Sequence, residues 1–75
     1  MAKCYARKFP NGLILAVVRR IEPRKEEWVD FQAKDCWTSY GFLEFDLERN
    51  PELYKEISEE HYIKCKIGLQ WCEKL

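Results

Sequence analysis

A tight-turn signal followed by the chain's long apolar run constrains the fold more than any other feature of the sequence. Pro10, Asn11 and Gly12 favour a turn, because Pro pre-sets φ, Asn tolerates the next position and Gly can adopt a left-handed conformation. The run Leu13–Val18 that follows is rich in branched residues, which favour a strand. We therefore predict a β-hairpin in which residues 2–9 fold back on residues 13–21.

The hairpin predicts a register and two unequal strand faces. For a bulged turn closed by Gly12 the pairs are Phe9–Leu13, Arg7–Leu15, Tyr5–Val17 and Lys3–Arg19, and a two-residue turn on Asn11–Gly12 is the close alternative. Because side chains alternate faces along a strand, one face is nearly free of charge and is the predicted core side. It carries Cys4, Ala6, Ile14, Ala16 and Val18. An error of one residue in register would change these pairings.

Length and composition predict a single folded domain over residues 1–75. The chain has 47% hydrophobic and 35% charged residues, with three Trp, four Tyr and four Phe, which is typical of a folded protein rather than a disordered one. No apolar run reaches the ~18 residues needed to span a bilayer, and the N-terminus lacks the apolar region of a signal peptide. We therefore expect a cytoplasmic protein whose four cysteines are free thiols.

Residues 26–40 are compatible with both strand and helix. Apolar residues alternate with others around Val29 as in a strand, but Val29 and Ala33 also share a helical face. Aromatic and β-branched content favours two strands, joined by a turn at residues 33–35. The alternative is a helix at about 24–37.

Three further elements are predicted in the C-terminal half. Residues 42–47 alternate like a half-buried strand. Asn50 and Pro51 favour a helix start, with Asn as the cap and Pro at the first helical position, so a short helix is predicted at about 51–60. Residues 61–72 show the longest alternation of apolar and polar side chains, which predicts a final strand.

These elements together predict a mainly β or α+β fold. It would be a small antiparallel sheet, or a partly open barrel, of four or five strands with one short helix. An α+β form that carries the additional helix at about 24–37 is the alternative.

The residue pattern contains no constellation typical of an enzyme or a metal site. The cysteines Cys4, Cys36, Cys65 and Cys72 lack the close spacing of zinc ligands. His61, the single histidine, lies in no nucleophile motif, and the three glycines stand too far apart for a phosphate loop. We therefore predict no enzymatic activity, no cofactor and no metal, and we interpret the cysteines as small buried apolar residues.

Charge is unevenly distributed along the chain, although the net charge is zero. Residues 1–25 are basic, residues 26–60 acidic and residues 61–75 weakly basic, so folding could form opposed charged surfaces or neutralise them. The candidate basic contact surface comprises Lys3, Tyr5, Arg7, Lys8, Arg19, Arg20, Arg24 and Lys25. The candidate acidic contact surface comprises Glu44, Asp46, Glu48, Glu52, Glu56 and Glu60, the last four forming a stripe if they share a helix. The candidate aromatic anchors are Trp28, Trp37, Tyr40 and Tyr54.

The function that these features favour is protein binding. We predict a non-enzymatic binding module that acts through protein contact, such as a small regulator or inhibitor of a larger partner. The alternative is binding of single-stranded DNA or RNA through the basic N-terminal hairpin, whose aromatic side chains could stack on bases. The net charge of zero argues against a dedicated nucleic-acid binder. No membrane partner is expected, and the sequence leaves the oligomeric state open.

Overall fold

The computed structural model describes residues 2–73, which form a five-stranded antiparallel sheet with one helix on each face. The strands are β1 (Cys4–Lys8), β2 (Ile14–Glu22), β3 (Lys25–Asp30), β4 (Asp35–Ser39) and β5 (Tyr54–Ile57). The helices are α1 (Phe42–Arg49) and α2 (Glu59–Gly68), and a 3₁₀ turn spans Pro51–Leu53. The strand order is β4-β3-β2-β1-β5. The predicted mainly β or α+β class is therefore confirmed, with an open sheet rather than a barrel.

The predicted N-terminal hairpin is confirmed. The Gly12 N–H donates to the Phe9 carbonyl at 2.9 Å, and the Phe9 N–H donates to the Leu13 carbonyl at 2.7 Å. Gly12 adopts a φ of 93°, which a side chain would strain. The hairpin turn therefore forms at Pro10, Asn11 and Gly12, as the sequence predicts.

The predicted register is wrong beyond the first pair of this hairpin. A bulge lies between the pairs Lys8–Ile14 and Arg7–Ala16, so each later β1 residue pairs one position further along β2 than predicted. The observed pairs are Arg7–Ala16, Ala6–Val17, Tyr5–Val18 and Cys4–Arg19. An extra residue on one strand exchanges the faces of everything after it. Val17 therefore packs with Cys4 and Ala6, whereas Ala16 and Val18 lie on the opposite face.

The core has two layers because helices cover both faces of the sheet. The α2 face is the side covered by α2, where the buried residues are Cys4, Ala6, Val17, Val29, Tyr62 and Cys65. The α1 face is the side covered by α1, where they are Ala16, Val18, Trp28 and Leu43. In the central strand β2, three consecutive residues from Ala16 to Val18 are all buried. An unbroken apolar run is typical of a strand that is covered on both faces.

Residues 25–39 form the two predicted strands, so the alternative helix at about 24–37 is wrong. The turn between these strands spans residues 31–34, slightly earlier than predicted. The Asp30 carboxylate holds the turn, because it accepts from the backbone N–H groups of Gln32 at 2.9 Å and Ala33 at 3.0 Å.

The predicted strand at 42–47 is wrong, because these residues form helix α1. Leu43 and Asp46, three residues apart, are the buried residues of the helix, and Leu47 also packs against the core. Leu43 and Leu47 lie on one side in a strand and in a helix alike, so their spacing does not separate the two structures. The positive φ of Gly41, 84°, ends the preceding strand segment and places this residue at the N-cap.

The predicted helix at 51–60 and strand at 61–72 are also wrong. Pro51 does begin a helical turn, but that turn ends at Leu53 and strand β5 follows. The true helix start is Ser58, whose side chain accepts from the His61 N–H at 3.0 Å, with Glu59 and Glu60 in the first turn. Residues 59–68 are therefore helix α2, which is neither long nor apolar enough to span a membrane, as holds for each helix in the described chain.

A stability prediction arises at the turn between β3 and β4. Lys34 is exposed and has a φ of 55°, a conformation that costs a non-glycine residue about 1 kcal/mol. We expect Lys34→Gly to raise the free energy of unfolding by about 0.5–1 kcal/mol in urea denaturation. Its neighbour Ala33, exposed and without a positive φ, is the matched control, and Ala33→Gly should be neutral or destabilising. Equal gains in both variants would contradict this explanation.

Candidate functional site

Trp28 is the buried support of a group of exposed aromatic side chains. Its indole lies on β3 on the α1 face and is 2% exposed. Trp37 of β4 stacks on it with ring centroids 5.2 Å apart and an interplanar angle of 7°. Phe42 meets it edge-on at 5.6 Å. The side chains of β4 and α1 therefore share one rigid aromatic base.

Four exposed aromatic residues lie on β4, on α1 and in the loop between them, and we call them the aromatic surface. They are Trp37 (42% exposed), Tyr40 (72%), Phe42 (44%) and Phe45 (55%). Phe42 and Phe45 are three residues apart on α1 and so lie on neighbouring positions of one helix side. The Arg49 guanidinium lies over the Phe45 ring, 5.1 Å from its centroid. Exposed aromatic area is thus concentrated in a segment of nine residues, 37–45.

A buried carboxylate fixes the backbone beneath the aromatic surface. Glu26 is fully buried and accepts from the Ser39 hydroxyl at 2.6 Å, the Gly41 N–H at 3.1 Å and the Leu43 N–H at 3.2 Å. Ser39 in turn accepts from the Trp28 indole N–H at 2.7 Å. Glu26 therefore ties the end of β4 to the first turn of α1, whose free N–H groups require acceptors.

Charged side chains of both signs accompany the aromatic surface. Asp35 at the start of β4 and Glu44 and Glu48 on α1 are all exposed. Glu44 faces Arg20 across 3.8 Å, and the cation within this part of the chain is Arg49. The Arg24 guanidinium also lies beside Gly41, so charges of both signs lie around the exposed aromatic rings.

Of the predicted aromatic anchors, the structure exposes Trp37 and Tyr40 but not the other two. Trp28 is buried, and Tyr54 is half-buried with its hydroxyl bonded to Asp46. Phe42 and Phe45 belong to the aromatic surface but were not among the predicted anchors. A helix assigned to residues 42–49 would have identified them, because Leu43 and Leu47 then face the core and Phe45 faces outward.

The candidate basic residues are not brought together on one surface. Arg7 and Arg20 contact α1 on the α1 face, whereas Arg19 lies over the Tyr62 ring on the α2 face, 4.9 Å from its centroid. Lys3 is exposed and pairs with Glu56 at 3.4 Å. Of the remaining candidates, Arg24 is exposed, and Tyr5, Lys8 and Lys25 are half-buried.

Ion pairs in the described residues join the basic and acidic parts of the sequence. Each cation comes from residues 1–25 or is Lys66, and each acid lies in residues 26–60. Folding therefore neutralises much of the charge asymmetry, because the basic residues of the N-terminal hairpin face acids on α1, α2, β3 and β5.

The candidate acidic residues likewise do not form a stripe. Glu44, Asp46 and Glu48 are on α1, whereas Glu52 is in the 3₁₀ turn, Glu56 in β5 and Glu60 in α2. The interpretation of a helical row was wrong because residues 51–60 are not one helix.

Asp46 is an internal group rather than a contact residue. It accepts from Arg7 Nε at 2.6 Å, from Asn50 Nδ2 at 3.1 Å and from the Tyr54 hydroxyl. Burial would raise the pKa of Asp46, but the bonds from Arg7, Tyr54 and Asn50 outweigh it and lower that pKa. Burial and the Asp46 carboxylate raise the pKa of Tyr54. This cluster fastens α1 to β1 and β5.

A second internal cluster fastens α2 to the sheet. Glu27 accepts from the Tyr62 hydroxyl at 2.6 Å, from Lys66 at 3.0 Å and from Arg19 at 3.2 Å. Burial opposes ionisation of Glu27, yet Tyr62, Lys66 and Arg19 lower its pKa below the usual value. A carboxylate with a lowered pKa is a weak proton acceptor, so this cluster suits structural support better than general-base chemistry.

The cysteines are free and lie in different surroundings. Cys4 and Cys65 are buried on the α2 face, Cys72 is half-buried, and Cys36 is exposed on β4. Within residues 2–73, no three His, Cys, Asp or Glu side chains are grouped so that they could hold a metal ion.

Comparison with known proteins found no match: no family model, no curated protein and no solved structure corresponds to this chain.

Proposed function

We propose that this chain is a non-enzymatic binding module that docks a partner protein on its aromatic surface, acting as a small regulator or inhibitor. The observation that carries the proposal is the exposure of four aromatic side chains within residues 37–45, two of which, Trp37 and Phe42, contact the buried ring of Trp28. Aromatic side chains dominate the energetics of protein interfaces, where truncation of a central one commonly costs about 2 kcal/mol or more.

The rigidity of this surface supports the proposal. Trp37 is stacked on Trp28, and Glu26 bonds both ends of the segment that carries Tyr40. Side chains that are already held in place lose little conformational entropy when a partner binds, so more of the apolar burial appears as affinity.

The surrounding charge indicates the chemistry of the partner. Asp35, Glu44 and Glu48 are exposed on β4 and α1, and the Arg24 guanidinium lies beside Gly41. A partner surface with apolar side chains inside a rim of both charge signs would complement them, and the pairing of opposite charges would favour the correct orientation. The free thiols are consistent with the cytoplasmic location that we also propose.

Affinity capture with paired variants tests the proposal. We expect the wild-type chain to retain one partner protein from a cell extract treated with nuclease. Truncation of Tyr40 and Phe45 to alanine should weaken binding of that partner by about tenfold or more in a titration. Both side chains are more than half exposed, so the variant should still fold. The matched control is Ile63→Ala with Ile67→Ala, which removes exposed apolar side chains from α2.

Two outcomes would overturn the proposal. One is a partner whose affinity falls in the Ile63/Ile67 variant and not in the Tyr40/Phe45 variant. The other is capture that nuclease abolishes and that falls steeply with added salt, which would favour the nucleic-acid alternative. Lys3→Glu with Arg24→Glu, which changes two exposed basic residues, would then weaken binding.

A further inference from the structure

The segment after α2 turns back along the helix. Leu69 adopts a φ of 52° and donates its N–H to the Lys66 carbonyl at 3.3 Å, while the Gln70 N–H donates to the Cys65 carbonyl at 3.3 Å. These two bonds form the usual reversal at a helix C-terminus, with leucine at the position that glycine normally occupies. The reversal directs residues 70–72 back towards the turn that contains Cys65.

The reversal brings Cys72 against Cys65. The Cys72 N–H donates to Cys65 Sγ at 3.4 Å, and both cysteines pack in the core of the α2 face. On the other side, the His61 ring nitrogen Nε2 contacts the Cys72 carbonyl, and the His61 and Trp71 rings lie 4.6 Å apart. Cys72 is thus held from two successive turns of α2.

The two thiols of this pair differ in exposure. Cys65 is fully buried, whereas Cys72 is half-buried. Burial raises the pKa of Cys65, and the neighbouring Cys72 thiol adds to that rise while the Cys72 N–H opposes it. Cys65 therefore stays protonated and protected, and Cys72 is the thiol that a small oxidant in solvent can reach.

We propose that Cys65 and Cys72 form a redox-active dithiol site that a hydroperoxide converts to an intramolecular disulfide. In the first step, Cys72 Sγ attacks the O–O bond of the hydroperoxide, which gives a sulfenic acid on Cys72 and an alcohol or water. In the second, Cys65 Sγ attacks the Cys72 sulfur, the Cys65 proton passes to the leaving hydroxyl group, and the S–O bond breaks with release of water. The two thiols lose two electrons and two protons in total, and the hydroperoxide is reduced by the same two electrons.

The disulfide would fix Trp71 in place. Trp71 lines an open apolar cleft of about 470 Å³ together with Phe9, Leu13 and Phe31. Closing a loop from residue 65 to residue 72 removes conformational freedom mainly from the unfolded chain. The oxidised protein is therefore more stable, with the Trp71 side of this cleft locked. This inference is independent of the aromatic surface.

Peptide mapping tests the inference in a Cys36→Ser background, which removes the exposed thiol and so prevents disulfides between chains. After treatment of the folded protein with hydrogen peroxide, free thiols should fall from three to one per chain. Trypsin should then release residues 65–66 linked to residues 67–74, with the mass of two hydrogens lost. The thermal unfolding midpoint should rise by about 10 °C and return on reduction.

The added substitution Cys72→Ser provides the control and keeps the buried Cys65 in place. It should form no disulfide under the same treatment and show no rise in the unfolding midpoint. A disulfide that joins Cys4 to either cysteine of the pair would overturn the inference. So would a stable sulfenic or sulfinic acid on Cys72 with Cys65 still reduced.

Discussion

Glu26→Leu is expected to abolish the folded state. The substitution removes the acceptor for the Ser39 hydroxyl and for the Gly41 and Leu43 N–H groups, and leaves these buried or partly buried donors without that partner. Each buried unsatisfied donor costs about 1–3 kcal/mol, so the sum approaches the ~5 kcal/mol at the lower end of domain stabilities. Circular dichroism and urea denaturation at neutral pH measure the loss.

Glu26→Gln distinguishes the contribution of the Glu26 hydrogen bonds to stability from the contribution of its packing. The amide keeps the shape and one acceptor oxygen, but its NH₂ group must face at least one of the former donors. We expect a loss of about 2 kcal/mol, with a fold that persists. Glu22→Gln, at an exposed position of β2, is the matched control and should change stability by less than about 0.5 kcal/mol. If Glu26→Leu unfolds at the same urea concentration as wild type, Glu26 does not join β4 to α1.

Asp46→Ala is expected to destabilise the protein by about 2–3 kcal/mol at neutral pH. It leaves the Arg7 guanidinium and the Tyr54 hydroxyl partly buried without the carboxylate that accepts from both. The exposed acid Glu48 on the same helix provides the control, since Glu48→Ala should cost little. Urea denaturation of both variants measures the difference.

The same substitution should reduce the dependence of stability on acid. The pKa of Asp46 is lowered by folding, so its contribution is complete above the unfolded pKa near 3.8 and is lost as pH falls through the folded value. Folding also lowers the pKa of Glu27, so its contribution to stability is likewise lost as the pH falls below its unfolded value of 4.5. The wild-type free energy of unfolding should therefore fall as the pH drops below about 4.5, and less steeply in Asp46→Ala. Parallel pH profiles for the two proteins would show that Asp46 is not held by these partners.

The parts of the fold that depend on local signals could be predicted from the sequence. Gly12 closes the first hairpin as its turn residues indicate, and Asp30 stabilises the turn between β3 and β4 through its own backbone neighbours. The bulge between Lys8 and Arg7 could not be predicted, because no residue there marks it, and it moved every later pair. Both faces of β2 are buried, which its unbroken apolar run favoured over the alternating pattern that we predicted.

The C-terminal helices were missed because apolar residues were taken to mark the buried side. Ile63 and Ile67 belong to the alternation that predicted a strand, yet they are exposed on α2 at 42% and 80%. The helical signal was Ser58 followed by two glutamates, with Tyr62 and Cys65 three residues apart facing the sheet. Asn50 and Pro51 gave a genuine helix start, but β5 pairs with β1 and so ends that helical turn after three residues.

The candidate site was only partly accessible to sequence reasoning. Trp37 and Tyr40 were identified from residue type alone, since aromatic residues were more numerous than a small core needs. Trp28 has the same residue type but is buried on the α1 face, and only the pairing of β3 with β4 shows that it lies against Trp37. The charged surfaces could not be derived from local composition, because ion pairs form between segments far apart in sequence.

The most direct test of the proposed function is an NMR titration of the isotope-labelled chain with its captured partner. The account predicts that the largest amide shift changes fall within residues 35–49, on β4 and α1. It also predicts that Tyr40→Ala with Phe45→Ala abolishes them at the same partner concentration. Largest changes within residues 3–8 and 19–25, or along α2, would contradict it.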